Sequence, residues 1–269
     1  MAEAALAACH AEGEVRLSEG PGHALELARA AVVSRATLVC AWGGDGTVNE
    51  VASALAGSGT ALGIVPAGSG NGLARELAIP WDPAAALMVA LGRRERVIDV
   101  GDIEGRLFVN LCGVGLDAAV AAQFNRRAGR RGLFPYVALA AREILRYRAR
   151  EYTLRAGAEA WQERALLIIC ANARQYGGGA VVAPTARPDD GQLDLVTVAA
   201  RPPWTALRDA LHLFRNTLDR APGVSTRRTP LVEITGPEPI LFHVDGEAVT
   251  GGLTVTVRIR PASLRVRVP

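Results

Sequence analysis

The chain is 269 residues long, 49% hydrophobic, and sets 30 basic residues against 27 acidic ones for a net charge of +3. That suits one large or two modest globular domains, and so small an excess gives no charge asymmetry of the kind that marks a nucleic-acid binder. Every basic residue is arginine, which excludes a Walker A loop, the strand lysine of a protein kinase and Schiff-base catalysis, each of which needs a lysine amine.

From residue 37 the chain alternates short apolar runs with helical stretches: residues 37–42 and 61–65 read as strands, and 48–56, 73–77 and 83–91 as helices. This order predicts a doubly wound α/β domain over residues 1–96, with ligands bound where glycines follow the carboxyl ends of its strands. After Arg96 the texture changes to strand-like segments at 107–111, 166–171, 193–198, 231–234, 240–244, 253–259 and 264–268, separated by turn residues. A mainly β, sandwich-like second domain is predicted over 97–269, interrupted by helices at 134–150 and 204–218.

Cys9, Cys40, Cys112 and Cys170 show no CxxC spacing, and the last three lie in apolar runs, so they read as reduced and structural. There is no HExxH pair and no GxSxG elbow, which speaks against zinc and serine-hydrolase chemistry. No apolar stretch approaches the roughly 18 residues of a membrane span, and the N-terminus lacks the order of a secretory signal, so the expected location is cytoplasmic.

Two glycine turns carry the chemistry. Gly43, Gly44, Asp45, Gly46, Thr47, Val48 and Asn49 run from a strand into a helix. Backbone N–H groups there can meet a phosphate without a Cβ in the way, and a carboxylate beside that phosphate implies an intervening Mg²⁺. The second turn offers Ser69 and Asn71 as side-chain donors to a nucleotide. Each turn alone reads equally well as a tight strand-to-helix connection.

Together GGDGTVNE and PAGSGNGLA resemble the nucleotide-binding signature of the diacylglycerol kinase catalytic-domain family, which includes sphingosine kinases and bacterial lipid kinases. GVGLD ending at Asp117, NARQYGGG from Asn172, APTARPDDGQLD from Ala183 and VDGE ending at Glu247 follow in the family's order. The resemblance implies an ATP-dependent lipid kinase acting on diacylglycerol or a sphingoid base, with ATP and Mg²⁺ as cofactors. It implies ATP contacts at Ser18, Gly43, Gly44, Asp45, Gly46, Thr47, Val48, Asn49, Ser69 and Asn71. It places Mg²⁺ near Asp45 and Asp117, and a second, structural Mg²⁺ at Asp190 with the backbone carbonyls of Arg187 and Gln192. Glu247 takes the place of the general base.

Simpler readings stand beside these: Asp117 as a helix cap, Asp190 in an Asp-Gly turn, and Asp245-Gly246 as a hairpin turn. The family's opening strand, with its Asn-Pro-x-Ser-Gly turn, has no counterpart before Ser18. Gly72 stands where many bacterial members carry Asp, as in the sphingosine-kinase form. Arg126, Arg127, Arg130 and Arg131 precede a helix with Phe134, Val137, Ala141, Ile144 and Leu145 on one face and Arg142, Arg146 and Arg150 on another. It reads as a contact for an anionic bilayer or as a helix packed on the second domain. The expected partners are a lipid at the inner membrane surface, through peripheral contact, and a second copy of the chain; nucleic acid is not among them. A non-catalytic nucleotide- or lipid-binding relative and an NAD kinase-like enzyme remain as alternatives.

Overall fold

The computed structural model describes residues 2–8, 12–126, 133–209 and 211–269. Cys9, Arg127, Arg130 and Arg131 lie outside them. The chain divides into two compact units, Met1–Ile98 with Ala262–Pro269, and Asp99–Pro261. The first is a mixed α/β unit and the second is sandwich-like and mainly β, as the sequence predicts.

The first unit contains α1 (Ala2–Ala8), α2 (His23–Val33), β1 (Leu38–Gly43), α3 (Asp45–Leu55), β2 (Ala61–Pro66), α4 (Gly72–Glu76), α5 (Pro83–Leu91) and the start of β3 (Glu95–Ile103). β1 and β2 pair in parallel from Leu38↔Ala61 to Gly43↔Pro66, with α3 as the crossover. α3 buries Val48, Val51, Ala52 and Leu55, one helical stripe. α5 begins on Asp82, whose carboxylate accepts the Ala85 N–H at 2.8 Å, with Pro83 in the first turn where its missing N–H costs nothing. β2 is buried along its whole length. On its other side it pairs in parallel with the last residues of the chain, Arg265↔Ala61 and Val266↔Leu62, so residues 262–269 complete the first unit.

The second unit holds β4 (Arg106–Phe108), β5 (Leu111–Gly115), α6 (Leu116–Arg126), α7 (Leu133–Ile144), β6 (Arg150–Ala156), β7 (Glu159–Ala171) and β8 (Leu193–Ala199). It continues with α8 (Pro203–Asp209), α9 (Leu211–Phe214), β9 (Val224–Thr229), β10 (Leu231–Thr235), β11 (Leu241–Val244), β12 (Glu247–Thr250) and most of β13 (Thr254–Arg267). β7 organises it. Its first half pairs antiparallel with β6, and its second half pairs with β5 and β8. β6 continues through β10 to β13, and β5 through β11 to β12. Between them Phe108, Leu154, Ile168, Val232, Phe242, Val255 and Val257 form the main core. A second core, with Ile169, Val182 and Val196, lies under the loop that follows β7. α6 and α7 share a third with Leu116, Val120, Leu139 and Leu166.

Several elements differ from expectation. The segment 107–111 is not one strand: β4 stops at Phe108 and β5 starts at Leu111. The helix expected to reach Arg150 ends at Ile144, because the alternating burial of Tyr152 and Leu154 makes 150–156 a strand. Residues 253–259 and 264–268 belong to a single long β13 rather than two strands. Of the helix expected over 204–218, the described residues are helical at Pro203–Asp209 and Leu211–Phe214. On α7, Ala140 and Ile144 pack against the third core while Leu145 is exposed.

A Cβ built on Gly101 would lie 2.0 Å from the ring of the fully buried Phe108. Gly101→Ala is therefore expected to lower the melting temperature, at a cost of about 1–3 kcal/mol as in other overpacked cores. Gly20→Ala, whose new methyl would meet nothing within 4 Å, should leave it unchanged.

Candidate active site

In the first unit β1 delivers the chain into Gly43 and Gly44, and α3 begins at Asp45 with no side-chain cap. Its first N–H groups thus lack intrahelical acceptors and attract an anion. The Asp45 carboxylate turns to the second glycine turn, where Oδ2 accepts the Asn71 N–H at 2.8 Å and Oδ1 the Gly72 N–H at 2.7 Å. Asn71 closes that turn on itself: its Oδ1 accepts the Gly68 N–H at 2.9 Å and its Nδ2 donates to the Gly68 carbonyl at 2.8 Å. The two turns touch backbone to backbone, since a Cβ on Gly68 would come within 2.6 Å of the Gly44 Cα. One rigid double turn results. Gly46 and Ser69 are exposed, Gly43, Gly44 and Thr47 half-buried, and Val48 is buried in the core of the unit.

Each Asp45 oxygen spends one acceptor position on a backbone N–H and keeps another, so Asp45 fits a Mg²⁺ held through water. Asn49 accepts from the Ser53 hydroxyl at 3.5 Å, and Ser18 is exposed in the segment before α2. Glu50, the last residue of the first motif, fastens that segment to α3: its carboxylate accepts the Gly22 N–H at 2.8 Å and the Leu25 N–H at 3.4 Å.

In the second unit the decisive residue is Asp245. Its carboxylate accepts three consecutive N–H groups, from Val109 at 2.9 Å and from Asn110 and Leu111 at 3.0 Å each. Asp245 and Gly246, with φ of 45° and 92°, form the two-residue turn joining β11 to β12. Glu247 follows, exposed, at the head of β12. The turn has two more anchors: the Asn125 amide donates to the Gly246 carbonyl at 2.9 Å, and the Gly246 N–H donates to His243 Nδ1 at 3.2 Å.

Because a backbone N–H can only donate, His243 Nδ1 is the acceptor and its proton sits on Nε2. That Nε2 bonds to Asp117 Oδ2 at 2.5 Å, and Tyr176 Oη donates to the same oxygen at 2.5 Å. His243 and Asp117 are both buried. Gly113 makes room for them: a Cβ there would lie 2.2 Å from the Asp117 carboxylate. Beside the turn, burial pushes the Cys112 thiol well up, reinforced by Cys170 and Asp245, so it stays protonated. Cys40, Cys112 and Cys170 are all free.

Residues 110–268 match the family described as the YegS C-terminal NAD kinase beta sandwich-like domain, and residues 1–103 match the diacylglycerol kinase catalytic domain. A Pseudomonas aeruginosa protein named "Probable lipid kinase YegS-like" is 33% identical over 95% of this chain and 84% of its own. The chain belongs to the diacylglycerol kinase catalytic-domain family. A Klebsiella pneumoniae protein of the same name is 32% identical over 95% of this chain and 86% of its own. The fold is shared with a solved diacylglycerol kinase from Bacillus anthracis, 19% identical at a TM-score of 0.75, over 98% of this chain and 88% of that one. It is shared also with an NAD kinase from Archaeoglobus fulgidus, 14% identical at a TM-score of 0.56, over 98% and 87%. As a member of this kinase family the chain is an enzyme.

The second metal position that family membership implies already contains a cation. Asp190 Oδ2 is ion-paired with Arg228, whose Nε also lies 3.7 Å from the buried Asp194. Asp190 Oδ1 accepts the Gln192 N–H at 3.1 Å. Burial pushes the Asp194 carboxyl up, against the lowering effects of the Thr185 hydroxyl and Arg228. A guanidinium across both carboxylates places a single positive charge where the second Mg²⁺ is expected, so Arg228 and a metal would compete for Asp190. Arg187 lies near Asp189, Nε to Oδ1 at 4.0 Å. Among the described residues no group of three or more His, Cys, Asp and Glu is arranged to hold a metal ion.

His243 and Arg228 escape a reading of the sequence alone, and so do the partners of Glu50 and Tyr176, which lie within the quoted motifs. Each acts across a long chain separation, so no local spacing announces it. Arg228→Ala should cost on the order of 1 kcal/mol at neutral pH, discounted for its partial exposure, and less as pH falls and the Asp194 carboxyl, pushed up by burial, protonates. Thermal denaturation should show Mg²⁺ recovering part of that loss in the variant, with no comparable response in the parent chain.

Proposed function

We propose that the chain transfers the γ-phosphate of ATP to a hydroxyl group of a lipid such as diacylglycerol or a sphingoid base. The supporting observation is the double glycine turn, in which the uncapped start of α3 is tied by Asp45 to the turn before α4. Relatives named as lipid kinases, matched over most of both chains, give the acceptor its class.

In this reading the N–H groups of Gly44, Gly46 and Thr47 hold the phosphates, and exposed Ser69 and Ser18 add hydroxyl contacts. Asn71 holds the turn through one bond at each end of its amide to Gly68, and its second N–H is left for the nucleotide. Mg²⁺, when bound, supplies the charge neutralisation that phosphoryl transfer requires. Glu247 accepts the proton of the lipid hydroxyl as its oxygen bonds to the γ-phosphorus. The bond from that phosphorus to the bridging oxygen breaks, and ADP leaves. Asp117 orients His243, which holds the turn that carries Glu247.

The test is transfer of labelled γ-phosphate to a panel of diacylglycerol, monoacylglycerol, a sphingoid base, a polyprenol and NAD. One or more lipids should be labelled and NAD should not. Glu247→Gln should lower kcat by about 10²–10⁴-fold with little change in KM for ATP. Asp45→Asn replaces one acceptor oxygen by a donor, so it should raise KM for ATP and also lower thermal stability. Labelling of NAD alone, or full activity in both variants, would overturn the assignment.

A further inference from the structure

We propose that α8 and α9, with the C-terminal end of α7, form a docking surface for an anionic lipid bilayer. The surface rests on the functional reading above only for its purpose; its chemistry stands on its own residues. α7 packs against α8, and α8 against α9, so the three share one region of the second unit. There the chain exposes large apolar side chains: Trp204 is 72% exposed, Leu145 64%, Leu211 54% and Phe214 49%. Most of the Trp204 ring is left in solvent, and Trp in particular favours the boundary between headgroups and acyl chains.

The exposed charges carried on residues 138–150 and 203–217 have one sign. Arg142, Arg146, Arg148, Arg208 and Arg215 are exposed. Residues 133–150 contain one acidic residue, Glu143, and residues 203–217 contain one, Asp209. Both are buried. Asp209 is shared between Arg201 at 2.7 Å and Arg208 at 3.0 Å, which leaves a positive excess even there. Apolar side chains interleaved with arginines, with no exposed carboxylate among them, complement a surface that is negative outside and apolar beneath. Trp204 and Leu211 are followed four residues later by Arg208 and Arg215, so apolar and basic side chains alternate along these helices. α7 contributes its end rather than its length, since Leu139, Ala140 and Ile144 face the core of the unit.

The test uses the full chain without ATP, so that it reads binding and not catalysis. Sucrose-loaded vesicles of phosphatidylcholine with phosphatidylglycerol are sedimented with the protein and compared with pure phosphatidylcholine. The parent chain should bind the anionic vesicles and lose affinity with salt. The double variant Trp204→Ser with Phe214→Ser should lose about tenfold or more in affinity, and Arg146→Gln with Arg215→Gln about fivefold for each charge removed. All four side chains are exposed, so melting temperatures should match the parent. With a short-chain lipid dispersed as monomers, both variants should phosphorylate at the parental rate and lose rate only on vesicles.

Failure of the parent chain to bind anionic vesicles would overturn the proposal. So would parental vesicle binding in the aromatic variant, including the case where that variant instead changes from dimer to monomer, which would give the surface to a second copy. Vesicle binding lost in the variants, with no lipid phosphorylated by any form, would support the docking surface while overturning the assigned activity.

Discussion

The second unit depends on one short carboxylate satisfying a bend in the backbone. A strand that stops at Phe108 and restarts at Leu111 must leave N–H groups without ladder partners, and Asp245 accepts the N–H groups of Val109, Asn110 and Leu111 together. Each such donor left unsatisfied in a buried place would cost about 1–3 kcal/mol. The bond network fixes the Asp245-Gly246 turn as well as the bend, so the placement of Glu247 and the end of β4 are set by the same atoms. Asp45 does the equivalent in the first unit, where it joins two glycine turns through Asn71 and Gly72 N–H groups. In both motifs the acid nearest the glycines serves the backbone first. A Cβ on Gly43 or Gly68 would collide with Thr47 or with the facing turn, while Gly246 is favoured by its φ of 92°.

Arginine is the only basic side chain apart from histidine, and the fold uses its fork in a consistent way. Asp102, buried in the β3–β4 hairpin, is paired with both Arg258 and Arg260; Asp190 and Asp194 share Arg228; Asp209 is shared by Arg201 and Arg208. A guanidinium presents donors in a plane and remains charged on any surface it meets, so it can bridge two carboxylates where an ammonium would favour one. Its use at Asp190 fixes the loop before β8 from within the chain. Where arginines outnumber acids, as on α7 to α9, the uncompensated charge faces outward.

Much of the first unit was legible because its signals are local. The run into Gly43, the helical stripe of α3 and the Asp82-Pro83 start of α5 each declare themselves within a few residues. In the second unit the later part of β7 and β8 were legible because they are apolar on both faces, and β10, β11 and β13 because apolar residues recur along them. β9 reads as Val-Ser-Thr-Arg-Arg-Thr and is exposed over most of its length, so nothing in its composition distinguishes it from a loop; its pairing with β8 makes it a strand. The first half of β7 is likewise polar and is held by β6. The motif acids could be picked out by their glycine neighbours. Their partners could not: His243 and Asp117 are 126 residues apart, and only the antiparallel pairing of β5 with β11 brings them together.

Phosphoryl transfer demands placement more than it demands a strong acid or base, and that gives the buried polar cluster a physical meaning. A carboxylate on an exposed two-residue turn would ordinarily sweep a wide volume. Here the turn is anchored on Asp245, on the Gly246 carbonyl through Asn125, and on the Gly246 N–H through His243. The last anchor uses Nδ1 as its acceptor, and the Asp117 carboxylate that accepts from Nε2 selects the tautomer with its proton on Nε2 and orients the ring. Tyr176, bonded to the same Asp117 oxygen, keeps the carboxylate from swinging away. Three side chains from α6, the loop after β7 and β11 thus fix one backbone N–H, and the freedom left to Glu247 is reduced to that of its own side chain.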